Sequence, residues 1–244
     1  MCRHLAYLGP SATLAALLLD APHSLRAQST APRYMTGTNL DGFGVGWYAP
    51  ERRALPARYR RAVPIGEDRS FASFAGVVAT GALVAAVRSA TPPFPVDESG
   101  PAPFTWDRWL FSHNGSVAGY AEGAAEVLRA GIGPARLAGL DGVTDSETVF
   151  ARLLELLDAG REPGDALRLV EAQLRELGGG KLNFLLHDGE RIFATASAHS
   201  LFVLERDGAV IVASEPTDAG PDWVRVPDRS LVRVAHAQRT IEAL

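Results

Sequence analysis

Apolar and polar residues alternate with a period of two over most of the C-terminal third. Leu182 to His187 and Arg191 to Ala196 flank Asp188–Gly189, while Leu201 to Arg206 and Ala209 to Ala213 flank Asp207–Gly208. Asp-Gly between strand-like runs marks a tight hairpin. Two hairpins are therefore predicted, followed by closing strands at Leu231 to Ala235 and Arg239 to Leu244. The middle of the chain has a helical period instead. Asp145 to Leu157 places Val149, Phe150, Leu153, Leu154 and Leu157 on one face, with Thr144 as N-cap and Glu147 in the first turn. Asp165 to Leu177 repeats the pattern with Leu167, Val170, Leu174 and Leu177, and stops at Gly178. The N-terminal half reads as short strands (Leu5 to Leu8, Phe43 to Tyr48, Leu83 to Arg88, Trp109 to His113) between the long loops Ala27 to Asn39 and Thr91 to Thr105. Strands, then helices, then strands, without βαβ alternation, predict largely antiparallel sheet layered with helices. No repeat or composition break divides residues 1–244, so one domain is expected.

Composition narrows the function. With 244 residues, 47% hydrophobic and 21% charged, the chain belongs to the ordinary globular range and can bury a sizeable core. Lys+Arg 24 against Asp+Glu 28 is no nucleic-acid-binding footprint. The arginine clusters Arg52–Arg53 and Arg58 to Arg61 read as a solvated face. The longest apolar-rich run, Phe74 to Val87, has 14 residues where a membrane span needs about 20. Arg3 and His4 before Ala12 to Leu19 imitate a signal peptide, but Gly9–Pro10 interrupts it and no small-x-small site follows. A cytoplasmic protein is expected.

One cysteine excludes an internal disulfide and a Cys-rich zinc site. That cysteine is Cys2. If Met1 is removed, thiol and α-amine belong to one residue, and an amine with a pKa of about 7.7–8.0 is a usable base. Packing as a small hydrophobe is the alternative. Arg88 ends an apolar run and carries the planar fork that suits a carboxylate. Asn114–Gly115 ends another, where an ordinary turn is the plain reading. Asp145 opens a helix, where the dipole alone favours an acid. Asp41-Gly-Phe-Gly-Val-Gly-Trp47 lacks dinucleotide spacing, and Gly178-Gly-Gly-Lys181 lacks the first Gly and the Ser/Thr of a phosphate loop. A papain-like pairing of Cys2 with His113 fails on motif and spacing. The six histidines (His4, His23, His113, His187, His199, His236) show no metal spacing, and His113 reads as structural.

Six segments occur in order: Met1-Cys-Arg-His-Leu-Ala-Tyr-Leu-Gly9, Asn39-Leu-Asp-Gly-Phe-Gly-Val-Gly-Trp47, Ala86-Val-Arg-Ser-Ala-Thr91, Ser112-His-Asn-Gly-Ser116, Thr144-Asp-Ser-Glu147 and Val212-Ala-Ser-Glu-Pro216. Together with Cys at position two they resemble the class II glutamine amidotransferases, most of all the stand-alone γ-glutamyl amidohydrolases of ergothioneine biosynthesis. The resemblance implies an α+β fold, the four-layer αββα sandwich of the N-terminal nucleophile hydrolases. It implies Cys2 as nucleophile, Asn114 and Gly115 as oxyanion hole, and Arg88, Thr91 and Asp145 as holders of the glutamyl head group. It implies a small γ-glutamyl molecule as partner, with neither cofactor nor metal. Nucleic acid and membrane are not expected as partners, and a homo-oligomer is allowed. With the chain ending at Leu244 and no acceptor domain in view, either a partner takes ammonia or the product amine itself is wanted. The resemblance implies the second, removal of glutamate from γ-glutamyl-cysteinyl-hercynine sulfoxide. The alternatives are a general glutaminase subunit delivering ammonia and a non-catalytic binding module. Loops 27–39 and 91–105, with Tyr34, Phe94, Phe104 and Trp106, are candidates for recognising the leaving group.

Overall fold

The computed structural model describes residues 2–235 and 238–244. Met1, whose removal the thiol mechanism requires, and His236 lie outside them. One sheet contains β1 (Arg3–Thr13), β2 (Phe43–Ala49), β3 (Arg53–Arg61), β4 (Ala79–Val87), β9 (Phe202–Arg206), β10 (Ala209–Ala213) and β11 (Val224–Arg225). Their order is β11-β9-β10-β1-β4-β2-β3. The second sheet contains β5 (Phe104–Trp106), β6 (Trp109–Val117), β7 (Gly180–His187), β8 (Arg191–Ala196), β12 (Ser230–Ala235) and β13 (Gln238–Ala243), in the order β13-β12-β8-β7-β6-β5. Every pairing is antiparallel.

Period two sorts side chains into three cores. Ala6, Val84, Leu110, Leu185 and Val212 fill the space between the sheets. Their strand neighbours point outward. Leu5, Leu83 and Phe43 meet Leu25 of α1 (Leu25–Thr30) and Phe71 of α2 (Arg69–Ala75). Phe111, Phe184 and Leu186 meet α5 (Asp145–Asp158) and α6 (Pro163–Glu176) through Phe150, Leu153, Leu167 and Leu174. Phe111 stacks on Phe150 with ring centroids 5.1 Å apart. Each such side chain contributes about 1.5–3 kcal/mol by leaving water. The layers are thus helix, sheet, sheet, helix, as the resemblance implies. Two short helices, α3 (Ala125–Ala130) and α4 (Pro134–Ala138), cover one end of α5.

The predicted elements differ from the observed ones mainly at their ends. Strand β6 runs through Asn114–Gly115, so this pair sits in a ladder opposite Asn183 and Leu182, not in a turn. Helix α6 begins at Pro163, because Glu162 caps it by accepting from the Asp165 N–H. Strand β3 was hidden by its arginines. It is an edge strand whose Arg58 and Arg60 pair with Asp141. Loop 27–39 is helical at its start.

Candidate active site

Residues from distant parts of the sequence meet at one end of the sandwich. Cys2 precedes β1, and Arg3 is in register with Val87 at the end of β4. A terminus is usually frayed unless tied down; here the tie is strong. The Arg3 guanidinium donates to the Cys2 carbonyl at 2.9 Å and to Glu215 Oε1 at 2.8 Å, with both side chains fully buried. Glu215 also accepts from His23 Nε2 at 2.8 Å and from the Arg33 N–H at 2.8 Å. Burial alone would raise the Glu215 pKa, but these donors hold it below the ordinary carboxylate range.

The Cys2 Sγ lies 3.9 Å from the Ser89 carbonyl oxygen. Burial pushes its thiol above the usual range, and the Ser89 backbone and the Arg88 charge only partly oppose this. One narrow cleft is lined by Cys2, Arg88, Thr91, Gly115, Asp145 and Ser146. Arg88 is buried and donates to the Pro95 carbonyl at 2.9 Å. Its guanidinium lies against Gly100, where a Cβ would come within 2.3 Å of Cζ. Asp41 fixes the approach: its N–H donates to the Arg88 carbonyl and its carboxylate accepts from the Ala90 N–H at 2.8 Å.

Asp145 is the first residue of α5, behind Thr144, whose hydroxyl accepts from the Glu147 N–H at 3.2 Å. Its carboxylate accepts from the Val117 N–H at 2.8 Å and the Ser146 N–H at 2.7 Å, so lone pairs remain for a cation. Glu147 faces the other way and holds the Asp141 and Gly142 N–H groups. At Gly115 a Cβ would sit 1.7 Å from the Lys181 carbonyl oxygen, so only glycine lets β6 and β7 close here.

Asn114 is fully buried. Its Nδ2 donates to Ser214 Oγ at 3.1 Å, and its Oδ1 has no partner. Ser214 Oγ also accepts from the His4 N–H at 3.0 Å, which joins Asn114 to β1. His113 lines the cleft but is committed. Its Nε2 donates to the Lys181 carbonyl at 2.8 Å, so in the neutral ring Nδ1 faces the Ser146 hydroxyl at 3.0 Å as acceptor. Burial lowers its pKa, and burial lowers that of His4 to about 3. Both imidazoles are uncharged at neutral pH. Sequence reasoning assigned no role to Ser214, Glu215, Asp41 or Asn183. Asp41, Ser214 and Glu215 lie within segments that carry the resemblance, and Asn183 left a signal as a polar residue inside the apolar run of β7.

A family profile described as glutamine amidotransferases class-II matches residues 13–209. A Mycobacterium tuberculosis protein named gamma-glutamyl-hercynylcysteine sulfoxide hydrolase is 39% identical over 246 positions, covering 100% of this chain and 97% of that one. Its namesake from Mycolicibacterium smegmatis is 38% identical over the full length of both. Among solved structures, a glutamine aminotransferase class-II domain protein from Silicibacter pomeroyi superposes with a TM-score of 0.74 at 23% identity, covering 99% of each chain. The glutamine PRPP amidotransferase of B. subtilis gives 0.68 at 15% identity, covering 99% of this chain and 49% of that one. These two likenesses concern the fold. The sequence relationship says more: this chain belongs to the class II glutamine amidotransferase family.

Proposed function

We propose that the protein is a thiol amidohydrolase that releases glutamate from a γ-glutamyl amide, with γ-glutamyl-hercynylcysteine sulfoxide as its substrate. The observation that carries this reading is the convergence of Cys2, Arg88, Gly115 and Asp145 on one cleft. The full-length relatives with that printed activity support the choice of substrate. The site of action is the cytoplasm, and no described helix is long and apolar enough to cross a membrane.

Removal of Met1 gives Cys2 an α-amine. The buried thiol is protonated at neutral pH, so attack needs a base, and the imidazole of His113, which lines the cleft, is engaged at both nitrogens. The α-amine takes the thiol proton, and Sγ attacks the γ-carbonyl carbon. Negative charge then moves to the carbonyl oxygen, where Asn114 Nδ2 and the Gly115 N–H stabilise it. In either orientation of the Asn114 amide at least one N–H remains for this. Turned over, Oδ1 accepts the Ser214 hydroxyl proton and both N–H bonds face the oxyanion. Arg88 holds the glutamyl α-carboxylate with Thr91 beside it, and Asp145 holds the α-ammonium. The C–N bond breaks as the amine takes the proton from the α-ammonium of Cys2, and water hydrolyses the thioester to glutamate.

Intact-mass and peptide mass spectrometry after exposure to an alkylating glutamine analogue tests this reading. The expected result is a chain lacking Met1 with one label on Cys2. An active, unlabelled chain that retains Met1 would overturn it.

A further inference from the structure

A second pocket, of about 480 Å³, is lined by Tyr34, Met35, His199, Ser200, Arg225 and Asp228 among others, and shares no residue with the lining of the Cys2 cleft. Both of its walls are tied to the reacting centre. The Tyr34 N–H donates to Glu215 Oε1 at 3.4 Å, and Glu215 holds the Arg3 guanidinium that donates to the Cys2 carbonyl. On the other wall, Asn183, opposite Asn114 in the ladder, accepts from the His199 N–H at 3.1 Å. The Ser200 hydroxyl donates to the Ser214 carbonyl at 2.9 Å. Burial lowers the His199 pKa to about 4, and the nearby Lys181 and Arg3 charges act in the same direction.

Cleavage divides a γ-glutamyl amide into two halves. The glutamyl half stays on the thiol between Arg88 and Asp145, so the amine half extends to the other side of the scissile carbon. A quaternary ammonium offers no hydrogen-bond donor; an aromatic face with a carboxylate nearby is what recognises it. Tyr34 presents such a face, 48% exposed and braced on Phe202 at a centroid distance of 4.8 Å. Asp228 uses Oδ1 to accept the Ala198 N–H at 2.8 Å, which leaves its second oxygen available. Arg225 adds a guanidinium suited to a carboxylate.

We propose that this pocket is the leaving-group subsite. In it, Tyr34 and Asp228 receive a trimethylammonium group and Arg225 receives a carboxylate. The inference rests on the γ-glutamyl reading above and deepens it: hercynylcysteine sulfoxide carries both groups, whereas the ammonia leaving glutamine needs no such pocket.

The test compares kcat/KM for γ-glutamyl-hercynylcysteine sulfoxide with that for γ-glutamylmethylamide. Variants are Tyr34→Ala, Tyr34→Phe and Asp228→Asn, the last keeping the acceptor for the Ala198 N–H. The ratio of the two constants is expected to fall about tenfold in Tyr34→Ala and Asp228→Asn, the worth of one partly exposed cation contact, and to recover in Tyr34→Phe. An unchanged ratio, in a wild-type protein that cleaves the sulfoxide, overturns the subsite and leaves the γ-glutamyl reading standing. A wild-type protein that releases no glutamate from the sulfoxide overturns both.

Discussion

The two ends of the sandwich use buried polar groups in opposite ways. At the end remote from Cys2, a cleft of about 870 Å³ runs between Tyr48, Arg108, Asp188 and Glu190. It is the roomier of the two, yet its buried polar groups are mutually satisfied. Asp188 accepts from the Glu190 and Arg191 N–H groups and from the Arg191 guanidinium at 2.7 Å. His187 Nδ1 accepts from the Gly189 N–H, its Nε2 reaches the Tyr7 carbonyl, and the Tyr48 hydroxyl reaches the His187 carbonyl. At the Cys2 end, Asn114 Oδ1 and His4 Nε2 are buried without partners. An unsatisfied buried group costs about 1–3 kcal/mol. Hydrogen-bonding capacity is therefore left open at the narrow end and spent at the wide one. Room alone does not mark a site of chemistry; unspent hydrogen-bonding capacity beside a nucleophile does.

Substitutions can break this contrast. Cys2→Ala removes the proposed nucleophile, and glutamate release is expected to fall by at least about 10⁴-fold. Retention of activity would leave the narrow end with no claim to catalysis. Asn114→Ala removes the proposed oxyanion donor and should lower kcat by about 10²–10³ with little change in KM. A rise in KM alone would make Asn114 a binding group instead. Acid should then expose the burial of the neutral histidines at both ends. His4 and His187 have folded pKa values of about 3 and about 4 against 6.5 for the free side chain. The unfolded chain binds more protons in between, so stability falls as pH drops from about 6.5 towards 4. The loss is on the order of several kcal/mol and is read from urea midpoints across that range. Finally, Asp188→Asn at the wide end should lower unfolding stability by about 1.5–3 kcal/mol through lost charge-assisted bonds. Its kcat/KM should stay within about twofold, and a large catalytic loss there would erase the contrast.

What the sequence disclosed follows from range. Hairpins at Asp188–Gly189 and Asp207–Gly208 and the amphipathic α5 are local patterns, so they were legible. So was the Thr144 cap. Strand β3 was not, because an edge strand paired on one side tolerates the arginines that mark a solvated loop. Cys2, Arg88 and Asp145 announce themselves by chemistry and motif. Glu215 lies in a matching segment, but its role depends on contacts with Arg3, His23 and Arg33, which only the tertiary fold brings together.

That carboxylate also sets a schedule. The Arg3–Glu215 contact spans 212 residues of sequence, and closures this long form late in folding because their entropic cost precedes any reward. During synthesis the strand that follows Cys2 emerges well before β10 and the Ser-Glu pair after it. A nascent chain therefore carries its thiol without the partners that seat it until the segment bearing Glu215 has been made.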